Sequence, residues 1–149
     1  MRFNVQLKAT KLAYYTSTKD RIPILSNPYI VYKFICPGCS ANYIGETQCT
    51  LYKRTLQHGH EPKDSAIYKH LTTSCQGYHH MEDIFKIAND QFDEVEFRVN
   101  QVRENTEIIG RAYDWSKLQF MEALAIKDNS PELNQGLKAT KNLKLFLNS

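Results

Sequence analysis

Two short apolar stretches separated by a cysteine-flanked Pro-Gly turn, Cys36-Pro37-Gly38-Cys39, constrain this chain more than any other feature. Tyr29 to Ile35 is dense in β-branched and aromatic residues, with Lys33 its clearest polar member, which suits a mostly buried strand. Ala41 to Gly45 reads as a second short strand, and Pro37-Gly38 supplies the chemistry of the turn between them. The expected unit is a hairpin that carries Tyr32 on one strand and Tyr43 on the other.

The rest of the 149 residues fits one small domain with flanks. Residues 1–28 read as a basic lead-in, broken by Pro23 and Pro28; residues 29–137 form the domain, and 138–149 a basic tail. The net charge of +3 is unevenly spread: five Lys/Arg face one acid before Ile30, and Lys138, Lys141 and Lys144 follow Asn134 with no acid. A phosphate backbone would therefore be gripped mostly by the flanks, although terminal lysines also serve solubility alone. No run of about 18 apolar residues and no charged-then-apolar leader at Met1 is present, so no membrane association is expected. An intracellular location is the expectation.

Thr47 to Gly59 reads as a helix with Leu51, Thr55 and Leu56 on one side and Gly59 as its stop. Arg54 and His58, four apart, face the same way. A second helix starts near Asp64 or Ser65 and runs through Ile67, His70 and Leu71. Ile84 to Ala88 and Val95 to Val99 are strand candidates, the latter from its alternation with Glu96 and Arg98. Thr106 to Lys127 reads as a long helix, with Ile108, Ala112, Trp115, Gln119, Ala125 and Ile126 in one stripe.

Glu122 falls inside that stripe. A carboxylate so placed loses water unless a charged partner meets it, and usually such a residue snorkels at the edge. A divalent cation would make the position favourable, because hard cations prefer oxygen ligands. Tyr32 and Tyr43 are by default half-buried packing residues. Paired on adjacent strands, their hydroxyls can instead converge on one water or phosphate oxygen, and Gly45 lets a backbone come close.

The Cys-x-x-Cys lies in a hairpin turn and not at a helix start, which argues for metal over redox chemistry. His70 and Cys75 supply His-x₄-Cys further on, so Cys36, Cys39, His70 and Cys75 form a candidate structural Zn²⁺ site, with His79 or His80 as substitutes for Cys75. Cys49 is left over and reads as a small buried residue.

Ile30-Val31-Tyr32, Tyr43-Ile44-Gly45, Arg54, His58, Glu122 and Asn134, in that order, resemble the motif set of the GIY-YIG endonuclease domain. Ile30 stands where glycine is usual. The cysteine pair inside the hairpin, the Ser65 to His70 stretch and Pro131-Glu132-Leu133-Asn134 are similar to the endonuclease domain at the C-terminus of Penelope-like retroelement polyproteins. The resemblance implies a small α/β (α+β) fold: an antiparallel sheet of about three strands flanked by helices, with a zinc-stapled hairpin. It implies a DNA endonuclease that nicks to prime insertion, with a nuclear location and a covalently linked upstream reverse transcriptase and its RNA as partners. By the same resemblance Glu122 would hold catalytic Mg²⁺ or Mn²⁺, Arg54 would clamp the phosphate, and Tyr32 or His58 would take the proton from water. Tyr43 would orient that water, and Asn134 would fix the site's edge or contact DNA. The alternative is a non-catalytic zinc-containing nucleic-acid-binding module. A protein-interaction domain using Tyr14, Tyr15 and Tyr78 is a third reading.

Overall fold

The computed structural model describes residues 28–60 and 65–134; both basic flanks, Tyr14, Tyr15 and the Asp64 cap lie outside the described residues. A three-stranded antiparallel sheet in the order β2-β1-β3 forms the centre, from β1 (Ile30–Ile35), β2 (Asn42–Thr47) and β3 (Thr106–Arg111). Strand β1 lies in the middle because it has the most to bury: Ile30, Val31, Tyr32 and Phe34 are all at most 1% exposed. Each such side chain gains about 1.5–3 kcal/mol by leaving water.

Alternation along β1 divides the core. Ile30 and Tyr32 face Leu51 of α1 (Leu51–His60), while Phe34 packs with Ile67, Leu71, Cys75, Tyr78 and Val102. Val31, on the opposite face, meets Ile44 and Leu118 of α5 (Trp115–Asn129). The residues that meet Phe34 come from α2 (Ala66–Lys69), a wider π-helical turn at His70–Ser74, α3 (Gln76–Ala88) and α4 (Glu94–Glu104), which follow α1 in the chain. A 3₁₀ turn at Glu132–Asn134 follows α5.

The hairpin, the Arg54/His58 helix and the three-stranded sheet match expectation; the third strand does not come from where it was expected. Ile84 to Ala88 and Val95 to Val99 are helical. In α4 the Asp93 side chain caps the first turn by accepting from Val95 N at 2.8 Å and Glu96 N at 3.0 Å. Its buried residues, Arg98, Val99 and Val102, follow helical and not strand spacing. Thr106 to Arg111 is a strand and not the start of a long helix, because the open side of β1 pairs with it from Ile30↔Arg111 to Phe34↔Thr106. The helix begins only after Asp114, whose carboxylate accepts from Lys117 N at 2.8 Å.

Three smaller expectations also change. The inward side of α1 holds Leu51, Thr55, His58 and Gly59, while Leu56 is exposed. Gly59 does not stop the helix; it lies within α1, where an added Cβ would meet Val99 Cγ2 at 2.4 Å, so α1 and α4 pack there through a bare backbone. Cys49 and Trp115 are exposed, and Tyr78 is buried, which removes it from any interaction surface.

Candidate active site and metal centre

Tyr32 lies at the middle of the hairpin, directly across from Gly45. A Cβ at Gly45 would stand 2.6 Å from the Tyr32 hydroxyl and 2.7 Å from Tyr43 Cε1, so only glycine leaves room for the two rings, whose centroids are 6.2 Å apart. The Tyr32 hydroxyl is hydrogen-bonded to His58 Nε2 at 2.6 Å and receives the Nε–H of Arg54 at 3.2 Å. The four-residue spacing on α1 therefore brings Arg54 and His58 to one phenol oxygen. The rings of Tyr43 and His58 meet edge to face, centroids 5.8 Å apart.

Glu122 joins this group from α5, where it is partly exposed beside the buried Leu118 and Ala123. Its charge is felt at both tyrosines. Burial pushes the Tyr32 hydroxyl far above its ordinary value, with Tyr43 adding and Arg54 opposing; Tyr43 rises for the same first reason. For Arg54, burial pulls downward, but Tyr32, Tyr43 and Glu46 outweigh it and the net shift is upward. His58 is driven down to about 3 by burial and by the adjacent Arg54 cation, so its ring is neutral at physiological pH.

Two groups here escaped the sequence reading. Ser65 Oγ lies 2.7 Å from His58 Nδ1, so the second ring nitrogen is also held. Glu46, beside Gly45, acts electrostatically on Arg54 and Tyr43, and burial raises its pKa. One Glu46 carboxylate oxygen is enclosed without a hydrogen-bond partner. Ser65 was legible only as a helix cap. Glu46 carried no signal, since a strand Glu after glycine is ordinary.

Asn134 is not at the hydroxyl cluster. Its Oδ1 accepts from Ile44 N at 2.7 Å and its Nδ2 donates to Ile44 O at 2.6 Å. Glu132 accepts from Asn42 N at 2.9 Å and from Asn42 Nδ2 at 2.7 Å. Together they occupy the outer edge of β2 and hold the strand that carries Tyr43.

The other centre gathers Cys36, Cys39, His70 and Cys75, whose ligand atoms all lie within 4.8 Å of one another. Cys36 Sγ and Cys75 Sγ are 3.6 Å apart, and Cys39 Sγ and His70 Nε2 are 3.2 Å apart. Tetrahedral zinc, with Zn–S about 2.3 Å and Zn–N about 2.0–2.1 Å, sets such pairs about 3.8 and 3.5 Å apart, so the donor set and its dimensions fit Zn²⁺. Five residues along an α-helix would turn His70 and Cys75 away from each other. The π-helical turn, closed by Cys75 N donating to His70 O at 3.0 Å, returns them to one side.

Backbone geometry prepares the sulfurs. Cys75 Sγ caps α3, accepting from Tyr78 N at 3.3 Å. Amides of Gly38 and Cys39 point at Cys36, but burial dominates and lifts that thiol to about 12, with Cys75 contributing. A bound cation reverses that balance, since a coordinated thiol gives up its proton. The turn approaches α3 so closely that a Cβ at Gly38 would stand 2.2 Å from Tyr78 N. His79 lies beside Glu82, 3.8 Å away, and is not in the cluster.

Comparison with protein-family models, with curated proteins and with solved structures finds no match for this chain. Among the described residues, no helix is long and apolar enough to cross a membrane.

Proposed function

We propose that this chain is a divalent-metal-dependent DNA endonuclease of the GIY-YIG type, with a structural zinc in its hairpin. The carrying observation is the convergence of Tyr32, Tyr43, Arg54 and His58 on one hydroxyl cluster, within the field of Glu122 from another element. Among the described residues, two of the five guanidinium N–H donors of Arg54 go to Tyr32 and Gln57, and the others would hold a phosphate. Tyr43 would orient the attacking water, and Tyr32 would take its proton while passing its own to the neutral ring of His58, 2.6 Å away. Glu122 would provide an oxygen ligand for Mg²⁺ or Mn²⁺. Such a cation supplies charge stabilisation for the phosphate and the leaving oxygen. Cys36, Cys39, His70 and Cys75 would hold Zn²⁺ and tie the turn of the hairpin to α3.

Supercoiled plasmid incubated with the full chain and Mg²⁺ or Mn²⁺ tests the reading. Nicking is expected from the native chain and none from Glu122→Ala. Equal cutting by both refutes the assignment, and DNA binding without cutting by the native chain identifies a binding module instead.

A further inference from the structure

Helix α3 carries an apolar line along one side, and among the described residues only the first half of that line is covered. Gly77, Met81, Ile84 and Ala88 recur at helical spacing. At the start, Gly77 abuts the hairpin turn, where an added Cβ would collide with Gly38 O, and Met81 packs against the cluster that holds Cys36, Cys75 and Tyr78. Beyond Met81 the line runs into solvent: Ile84 is 53% exposed and Ile87, one turn on, is 86% exposed. Phe85 differs, because its ring meets that of Phe97 with centroids 4.8 Å apart. Single exposed apolar side chains are ordinary, but an exposed stripe that continues a core line calls for a cover.

Two observations select the cover. One is the place where the described residues end. Leu133 packs against the same cluster as Met81, so residue 135 leaves the domain beside the covered half of the line. Ala88 lies about 10 Å along the helix from Met81, and residues 135–142 can span about 26 Å. The basic lead-in enters elsewhere, at Tyr29, whose carbonyl accepts from Ala112 N at the end of β1 away from Cys36.

The other observation is charge. Residues 76–97 hold six Asp/Glu and one Lys/Arg. Asp83 and Asp90 are exposed around the free end of α3, and Lys86 lies 3.9 Å from Glu94. Residues 135–149 hold three lysines and no acid, together with four leucines and Phe146. A second copy of α3 would bring one acidic rim against another, whereas this stretch offers the opposite charge and the apolar side chains together.

We propose that residues 137–147 of this chain cover the free end of α3, their leucines against Ile84, Ile87 and Ala88 and their lysines toward the acidic rim. The C-terminal stretch then clasps α3 next to the cysteine cluster. This contact does not depend on the endonuclease reading.

A methyl NOE spectrum of the full chain, labelled at Ile and Leu methyls, reads the contact directly. The Ile87 and Leu145 signals are assigned by their loss in Ile87→Asp and Leu145→Asp. Cross-peaks from Ile84 and Ile87 to leucines of the tail are expected, and their absence overturns the proposal. Cross-peaks that appear between labelled and unlabelled molecules in a mixed sample give the face to a second copy and overturn it equally. Trypsin supplies a second readout through cleavage after Lys138, Lys141 and Lys144. Ile87→Asp and Leu145→Asp should each speed that cleavage by about ten-fold or more, since burying one such side chain shifts a local opening equilibrium by at least that factor. Ile87 is so exposed in the described domain that its replacement leaves the fold in place. Native and variant chains cut at the same rate would refute the clasp.

Discussion

Gly45→Ala is the sharpest test of how the hydroxyl cluster is built. The added methyl would lie 2.6 Å from the Tyr32 hydroxyl, 2.7 Å from Tyr43 Cε1 and 2.8 Å from Tyr32 Cζ. Ordinary contact begins near 3.4 Å, so a ring must move by roughly 0.8 Å. Tyr43 has some freedom, being half-buried, but Tyr32 is 0% exposed and tied to His58 and Arg54. Overpacking of this kind costs about 1–3 kcal/mol, and a weakened buried hydrogen bond adds about 1 kcal/mol or more. We expect a loss of about 3 kcal/mol. With a urea slope of about 2 kcal/mol per molar, the unfolding midpoint should fall by about 1.5 M. Plasmid nicking should be lost even where the variant remains folded, because the ring that moves carries the hydroxyl to which Arg54 and His58 are anchored. An unfolding midpoint within about 0.3 M of the native chain, with the His58 ring signals unchanged, would refute this account of the glycine.

Native mass spectrometry should find one Zn²⁺ bound per chain, lost in Cys36→Ser together with cooperative unfolding; a folded chain without metal would refute the staple. Stability should also fall in acid because of His58. Its folded pKa of about 3 lies below the ordinary 6.5, so the unfolded chain binds the extra proton between those values. The contribution is complete above pH 6.5 and is lost as the pH falls toward 3, at about 1.4 kcal/mol per pH unit. Urea unfolding of the native chain and of His58→Gln at a series of pH values should show that slope only in the native chain; identical slopes would sink the argument.

The parts of this fold visible in the sequence are those whose signal is local. The hairpin announced itself because Pro37-Gly38 makes the turn and the flanking residues suit only a buried strand. Arg54 and His58 were legible for the same kind of reason, a fixed spacing on one helix. Thr106 to Arg111 was misread because a spacing of four, as between Ile108 and Ala112, satisfies both helical and strand periods, and only the vacant side of β1 decides between them. Val95 to Val99 alternates like a strand, yet its inward residues are the neighbours Arg98 and Val99, and the Arg98 Nε–H donates to Gly59 O at 2.9 Å while its guanidinium lies over Tyr68. No periodicity of apolar residues reveals a buried arginine. At the sites, ligand types and spacing indicated the cysteine cluster, whereas the contact of Ser65 with His58 exists only once α1 and α2 are packed.

The Glu132 and Asn134 contacts with β2 span 90 residues of chain. Closing a loop of that length costs on the order of 4 kcal/mol in chain entropy beyond a constant, and contacts of such separation form late. During synthesis, the hairpin and its cysteine knuckle can therefore assemble early, while the outer rim of β2 stays open to other strands until Asn134 has emerged. A shortened chain ending ahead of Pro131 would keep both tyrosines yet leave that rim unsealed, a template for association with its own copies. The short turn after α5 thus closes the outer edge of the strand bearing Tyr43 only after α5 has been made, although the inner edge is paired with β1 from the start.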